Sequence, residues 1–178
     1  IEILIAPPTS GTRDAWNSLV MGKGCTKTAK SLYDAAGKKA KKECAKMRED
    51  GYAVEAGEND TLIVQKLTSN PDAYGFFGYS YLVSNKDKVK AASIEGVQPS
   101  LEGIQDYSYP IARPLFFYVK KAHIGVVPGI QEYLKEFTSK KSMGNRGYLA
   151  KIGLVPLASD KYKVTRTAAL DLNTINIK

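Results

Sequence analysis

The residues best suited to chemistry lie together near the start of the chain, in Ser10-Gly11-Thr12-Arg13. Two hydroxyls can donate to an oxyanion, the glycine lets it approach the backbone, and the guanidinium supplies charge. The flanking residues indicate what must position them. Ile1, Ile3, Leu4 and Ile5 form an apolar run of strand length, and Pro7-Pro8 ends it. Ser10 or Thr9 can cap a helix that runs on through Asp14, Ala15, Trp16 and Leu19. A helix N-terminus offers free N–H groups and a partial positive charge, so strand, turn and helix together make a cradle for a tetrahedral oxyanion. The same letters also fit a plain capping turn with Arg13 in solvent. The residues alone leave both readings open.

Catalysis finds little support. The single histidine, His123, follows Lys120-Lys121 at an expected strand end and reads as a surface residue. A Ser-His-Asp arrangement would have to bring it across the chain to Ser10. No pair of carboxylates stands in a pattern for acid and base roles, so no catalytic residue, metal site or cofactor is expected. Cys25 and Cys44 have no Cys-x-x-Cys spacing, and a lone histidine adds no zinc ligand set. They are either two free thiols or one disulfide. A bridge would close a loop of about 20 residues, worth ~3 kcal/mol, and would place the chain in an oxidising compartment.

With 178 residues, 43% hydrophobic and 25% charged, the chain has the composition of a soluble globular protein, enough for one domain or two small lobes. No apolar run approaches the ~20 residues that span a bilayer. There is no signal peptide and no initiator Met, and the opening residues already read as a core strand, so the expectation is a trimmed chain. The net charge of +8 favours anionic partners of any kind. Most of it sits in Lys23, Lys27, Lys30, Lys38, Lys39, Lys41, Lys42 and Lys46. This segment fits a solvated helix face better than a nucleic-acid site, which interleaves basic residues with stacking aromatics; Tyr33 is the one aromatic here.

Along the chain, strand and helix signals alternate, which argues α/β. Gly22-Lys23-Gly24 is expected to break the first helix, and a second helix is expected over 29–48, interrupted by Gly37. Strands are expected at 52–55, 73–78 and 89–94, with helices from 61 to 67, capped by Asn59 or Asp60, and from 80 to 85. Pro110 and Pro114 bracket the start of an aromatic strand, Leu115-Phe116-Phe117-Tyr118-Val119-Lys120, that suits a crossover between two lobes. Arg113 there either reaches a ligand or holds neighbouring carbonyls. Helices follow at 130–138, with Tyr133, Leu134 and Phe137 on one face, and at 144–152. The polar tail from 161 to 178 gives no clear signal.

Taken in series, Pro8-Thr9-Ser10-Gly11-Thr12-Arg13-Asp14-Ala15, Gly57-Glu58-Asn59-Asp60, Ala73-Tyr74-Gly75-Phe76-Phe77-Gly78-Tyr79, Gly96-Val97-Gln98-Pro99 and Tyr109-Pro110-Ile111-Ala112-Arg113-Pro114-Leu115 resemble the periplasmic phosphate-binding component of bacterial ABC phosphate transporters. The resemblance runs in order from the first residue to about Leu157. It implies a type II periplasmic binding protein fold, in which two α/β lobes close on the ligand. Residues 1–106 would be the complete second lobe, and 107–178 the crossover and the C-terminal portion of the first lobe. The N-terminal half of the first lobe would be absent. In that family the Ser-Gly-Thr turn gives hydroxyl and backbone hydrogen bonds to phosphate. The implied phosphate-binding residues are therefore Ser10, Gly11, Thr12 and Arg13. Many relatives place an arginine four residues before that serine, where this chain has Ala6, and Arg13 is the natural substitute.

The resemblance further implies a periplasmic address, a Cys25–Cys44 disulfide and a non-enzymatic role. The expected partners are inorganic phosphate, an inner-membrane ABC permease, and either the missing N-terminal fragment or a second copy of the chain, with no nucleic acid. Competing readings are a polyanion or nucleic-acid binder driven by charge, and a phosphohydrolase using the same cradle.

Overall fold

A computed structural model describes residues 1–175. The chain divides into two compact units, the first Ile1–Ile94 and the second beginning at Glu95. The first unit is built on a three-stranded parallel sheet of order β2-β1-β3. Strand β1 (Glu2–Ile5) lies in the middle, with Ile3 opposite Ala53 of β2 (Ala53–Glu55) and Tyr74 of β3 (Ala73–Gly75). A central parallel strand is covered on both faces, so it reads as an unbroken apolar run rather than an alternation. Leu4, Ile5 and Ala6 are buried accordingly, and Leu4 packs with Ala56 and Ile63 at the centre of the core.

Helix α1 (Gly11–Trp16) follows β1 and continues without a break. A π-helical stretch (Asn17–Met21) leads directly into α2 (Gly22–Thr28), all in right-handed helical geometry. The expected break at Gly22-Lys23-Gly24 is therefore absent. The helix widens at the π stretch instead, and glycine weakens a helix by about 1 kcal/mol without forbidding it. The expected second helix over 29–48 is three pieces: α3 (Lys30–Ala36), a 3₁₀ turn (Gly37–Lys39) and α4 (Ala40–Cys44). Gly37 divides them at φ +52°. A Cys25–Cys44 disulfide, with its Cα atoms 5.8 Å apart, ties α2 to the end of α4.

Helix α5 (Asp60–Ser69) begins as expected, with the Asn59 side chain accepting from the Thr61 N–H at 2.9 Å. It packs Ile63 and Leu67 against Gly75 of β3. Helix α6 is Tyr79–Ser84. Residues 89–94 form no strand, and β3 stops at Gly75.

The second unit is helical: α7 (Leu101–Gln105), α8 (Ile130–Phe137), α9 (Lys140–Met143), α10 (Tyr148–Lys151) and α11 (Ser159–Leu170), with a 3₁₀ turn at Lys121–His123. Its core is Leu134, Thr138, Ser142 and Tyr162; the Tyr162 hydroxyl donates to the Thr138 carbonyl at 2.9 Å. The tail without a sequence signal thus holds most of a twelve-residue helix, which starts at Ser159. The aromatic segment from Leu115 to Lys120 is irregular rather than a strand. A strand needs a hydrogen-bonded neighbour, and no strand forms after Glu95 among the described residues. No helix among them is long and apolar enough to cross a membrane.

Candidate functional site

Three turns leave the carboxyl ends of β1, β2 and β3, and two long-range hydrogen bonds connect them. The Thr9 hydroxyl donates to Glu58 Oε1 at 2.6 Å, joining the β1 turn to the β2 turn. The Gly78 N–H donates to Asp60 Oδ2 at 3.1 Å, joining the β3 turn to the start of α5. Trp16 of α1 stacks on Phe76, with ring centroids 4.3 Å apart and planes 5° from parallel. In a parallel sheet of order 2-1-3, right-handed crossovers put the helices that follow β1 and β2 on opposite faces, and ligands of open α/β sheets bind outside the carboxyl ends of the strands at such a reversal.

The Ser10–Arg13 turn stands at this edge. The Ser10 N–H donates to the Pro7 carbonyl at 3.0 Å, which closes the turn. Ser10 takes an extended conformation (φ −83°, ψ 131°), and its Oγ accepts from the Thr12 N–H at 3.2 Å, so it is the N-cap of α1. The α-helical ladder starts at the Asp14 N–H, which donates to the Ser10 carbonyl at 3.1 Å. The Gly11 and Arg13 N–H groups, ahead of that ladder, have no protein acceptor among the described residues. Gly11 is exposed, and a Cβ built on it would meet nothing within 4 Å, so the turn faces open space there. The Thr12 hydroxyl is half-buried and also has no partner among the described residues.

Arg13 points inward. The residue is 8% exposed, and a terminal guanidinium nitrogen donates to the Ala6 carbonyl at 2.8 Å. Its Nε is sealed from solvent without an acceptor. No carboxylate lies within ion-pair distance of Arg13 among the described residues. A buried cation without a counter-ion is costly, because the interior screens charge poorly and offers it no water. The cation thus sits behind the turn, against the end of β1.

The four residues singled out in the sequence therefore share one turn. The contacts of Glu58 with Thr9 and of Asp60 with Gly78 are not visible in the sequence, since the partners are 49 and 18 residues apart. The lysine segment lies elsewhere, on α2–α4. His123 is exposed in the 3₁₀ turn of the second unit, and Arg113 is exposed as well. No cluster of three or more His, Cys, Asp or Glu side chains that could hold a metal forms among the described residues.

Comparison with known proteins gives a consistent picture. Residues 1–141 match the family model described as a PBP superfamily domain. The phosphate-binding protein PstS of Staphylococcus aureus (strain USA300) is 32% identical over 111 residues, covering 58% of this chain and 34% of that protein. The phosphate-binding protein PstS of Staphylococcus haemolyticus (strain JCSC1435) is 35% identical over the same length, with the same coverage. The chain thus spans about a third of the length of the curated relatives it matches. A crystal structure described as that of a possible phosphate-binding protein from Planctomyces limnophilus DSM 3776 superposes with a TM-score of 0.60 at 23% identity, over 97% of this chain and 54% of that one.

Proposed function

The chain belongs to the PBP superfamily, and from that premise we propose that it binds inorganic phosphate at the Ser10–Arg13 turn. In this reading it acts as a solute-binding protein outside the cytoplasm that hands its cargo to an ABC permease and performs no chemistry on it. One observation carries the assignment of the site. The Arg13 guanidinium is buried without a carboxylate, directly behind a helix N-terminus whose first N–H groups lack protein acceptors. A dianion at the turn would supply the missing counter-charge. The Gly11 and Arg13 N–H groups and the Ser10 and Thr12 hydroxyls would donate to its oxygens, and charge-assisted bonds of this kind are about twice as strong as neutral ones. Because Nε is sealed, Arg13 contributes charge from behind the turn rather than contact through that atom. It lies against the Ala6 carbonyl.

Two further features support the wider reading. Relatives named as phosphate-binding proteins match the chain over 111 residues. The Cys25–Cys44 disulfide suits a protein that works in an oxidising compartment. All donors at the turn approach from one side, so an anion held there alone keeps part of its hydration. Tight binding requires donors from an opposing lobe that closes over the anion.

The test is calorimetric titration with inorganic phosphate of the protein and of a Thr12→Val variant. Losing one hydrogen bond to a charged group, worth about 1.5–3 kcal/mol, lowers affinity roughly 10- to 100-fold. Equal affinity in the two proteins would sink the assignment.

A further inference from the structure

The lysine segment has a place in the structure that phosphate binding does not explain. Between positions 22 and 46, eight lysines face only Asp34 and Glu43, which accounts for six of the eight net positive charges of the chain. Both acids are already taken, Asp34 by Lys30 at 2.8 Å and Glu43 by Lys46 at 2.7 Å. Lys23, Lys38, Lys39, Lys41 and Lys42 are exposed and have no ion pair among the described residues. The last four fall in the two consecutive turns from the 3₁₀ segment into α4, so they form one patch, and the Cys25–Cys44 disulfide fixes that piece to α2. Like charges crowded on a locked scaffold repel each other, which disfavours the bare state and favours an anionic surface that neutralises them.

That surface is not the phosphate at the turn. Cys25 lies fourteen residues along the continuous helix from Gly11, about 20 Å at 1.5 Å per residue. Charges separated by more than the Debye length, about 8 Å at physiological salt, are largely screened from each other. A nucleic acid would call for stacking aromatics, and the one aromatic here, Tyr33, is half-buried. A folded protein partner would call for an apolar interface core, and Leu32, at 70% exposed, is the one large apolar side chain well exposed on this hairpin among the described residues. A dense lysine patch with so little exposed apolar surface around it matches the headgroup layer of a membrane, where lysines meet phosphodiesters.

We propose that the disulfide-locked hairpin α2–α4 docks on an anionic phospholipid surface through Lys38, Lys39, Lys41 and Lys42. The binding is electrostatic, reversible and independent of phosphate. It holds the protein close to a bilayer without inserting a helix.

The experiment is co-sedimentation of the protein with vesicles of phosphatidylglycerol and phosphatidylcholine, and with pure phosphatidylcholine, across a salt series. Binding to the anionic vesicles alone, falling steeply as salt rises, is the expected result. Each lysine near an anionic leaflet is worth about a fivefold change in affinity, so replacing all four by glutamine removes measurable binding. Lys38→Gln/Lys39→Gln, a milder change, leaves affinity about 25-fold weaker. Calorimetric titration with inorganic phosphate, run on the same variants, is expected to be unchanged, which separates this surface from the turn. Equal binding to both kinds of vesicle, no binding to either, or full binding by the fourfold variant overturns the proposal. Tighter lysine-dependent binding to an oligonucleotide or to polyglutamate than to the anionic vesicles also overturns it, in favour of a polymeric partner.

Discussion

Individual residues at the turn divide into those that build it and those that would serve an anion. Ser10 does both, because its Oγ caps α1. Ser10→Ala is expected to lower both stability, by about 1 kcal/mol as for other N-caps, and phosphate affinity. Thr12 has no structural bond to lose from its hydroxyl, so Thr12→Val separates the two effects: thermal denaturation stays close to that of the parent while phosphate affinity falls. Arg13→Ala removes the bond to the Ala6 carbonyl and the only buried guanidinium among the described residues. Its phosphate affinity is expected to fall at least as far as that of Thr12→Val, measured in the same titration. Retained affinity in Arg13→Ala would mean that the buried charge does not serve the anion. At this scale the sequence was informative but incomplete. It identified the four residues of the turn, because capping runs between neighbours two apart. It left Arg13 between solvent and ligand, because side-chain burial depends on what the rest of the fold places around Ala6.

Elements that hold the turn follow local rules where neighbours determine them and depart where distant partners do. Strand β1, the turn, α1 and the Asn59 cap of α5 all appear where Ile-rich, proline and capping signals put them. The run through Gly22-Lys23-Gly24 does not, since a helix tolerates glycine when its flanks are fixed, and Cys25 is fixed to α4. Nor do 89–94 and 115–120 form strands, although their composition suits one. Propensity for the β state is largely a matter of cross-strand packing, and no strand lies alongside them among the described residues to supply it. Two measurements test this scale. Reduction of the Cys25–Cys44 bridge is expected to lower stability by about 3 kcal/mol, read from denaturant unfolding with and without reductant. Gly75→Ala would place a Cβ 2.7 Å from Ile63 Cγ2 and 3.2 Å from Leu67 Cδ1, where α5 presses on β3. Overpacking of this kind costs about 1–3 kcal/mol, and an unchanged melting temperature would show that α5 can move away freely.

Over the whole molecule, a small core and a large exposed apolar set stand together. In the second unit Leu115 and Phe116 are each 68% exposed and Tyr118 is 67% exposed, beside a groove of about 530 Å³ lined by Phe117, Val119, Ile130 and Tyr133 among others. Contiguous apolar patches of this kind are rare on isolated soluble proteins. The protein on its own is therefore expected to self-associate as its concentration rises, read by sedimentation, and Phe116→Ser/Tyr118→Ser is expected to reduce that association. The family, the parallel sheet and the turn support one central claim, that phosphate is held at the end of β1. The most direct measurement is a titration of the isotope-labelled protein with inorganic phosphate followed through its backbone amide resonances, against sulfate at matched ionic strength. A site at the turn shifts the Gly11, Thr12 and Arg13 amides first and most, even when binding is weak, and leaves the 38–42 amides in place. Shifts confined to the lysine hairpin, or none at Gly11 and Thr12 as phosphate rises, would contradict it.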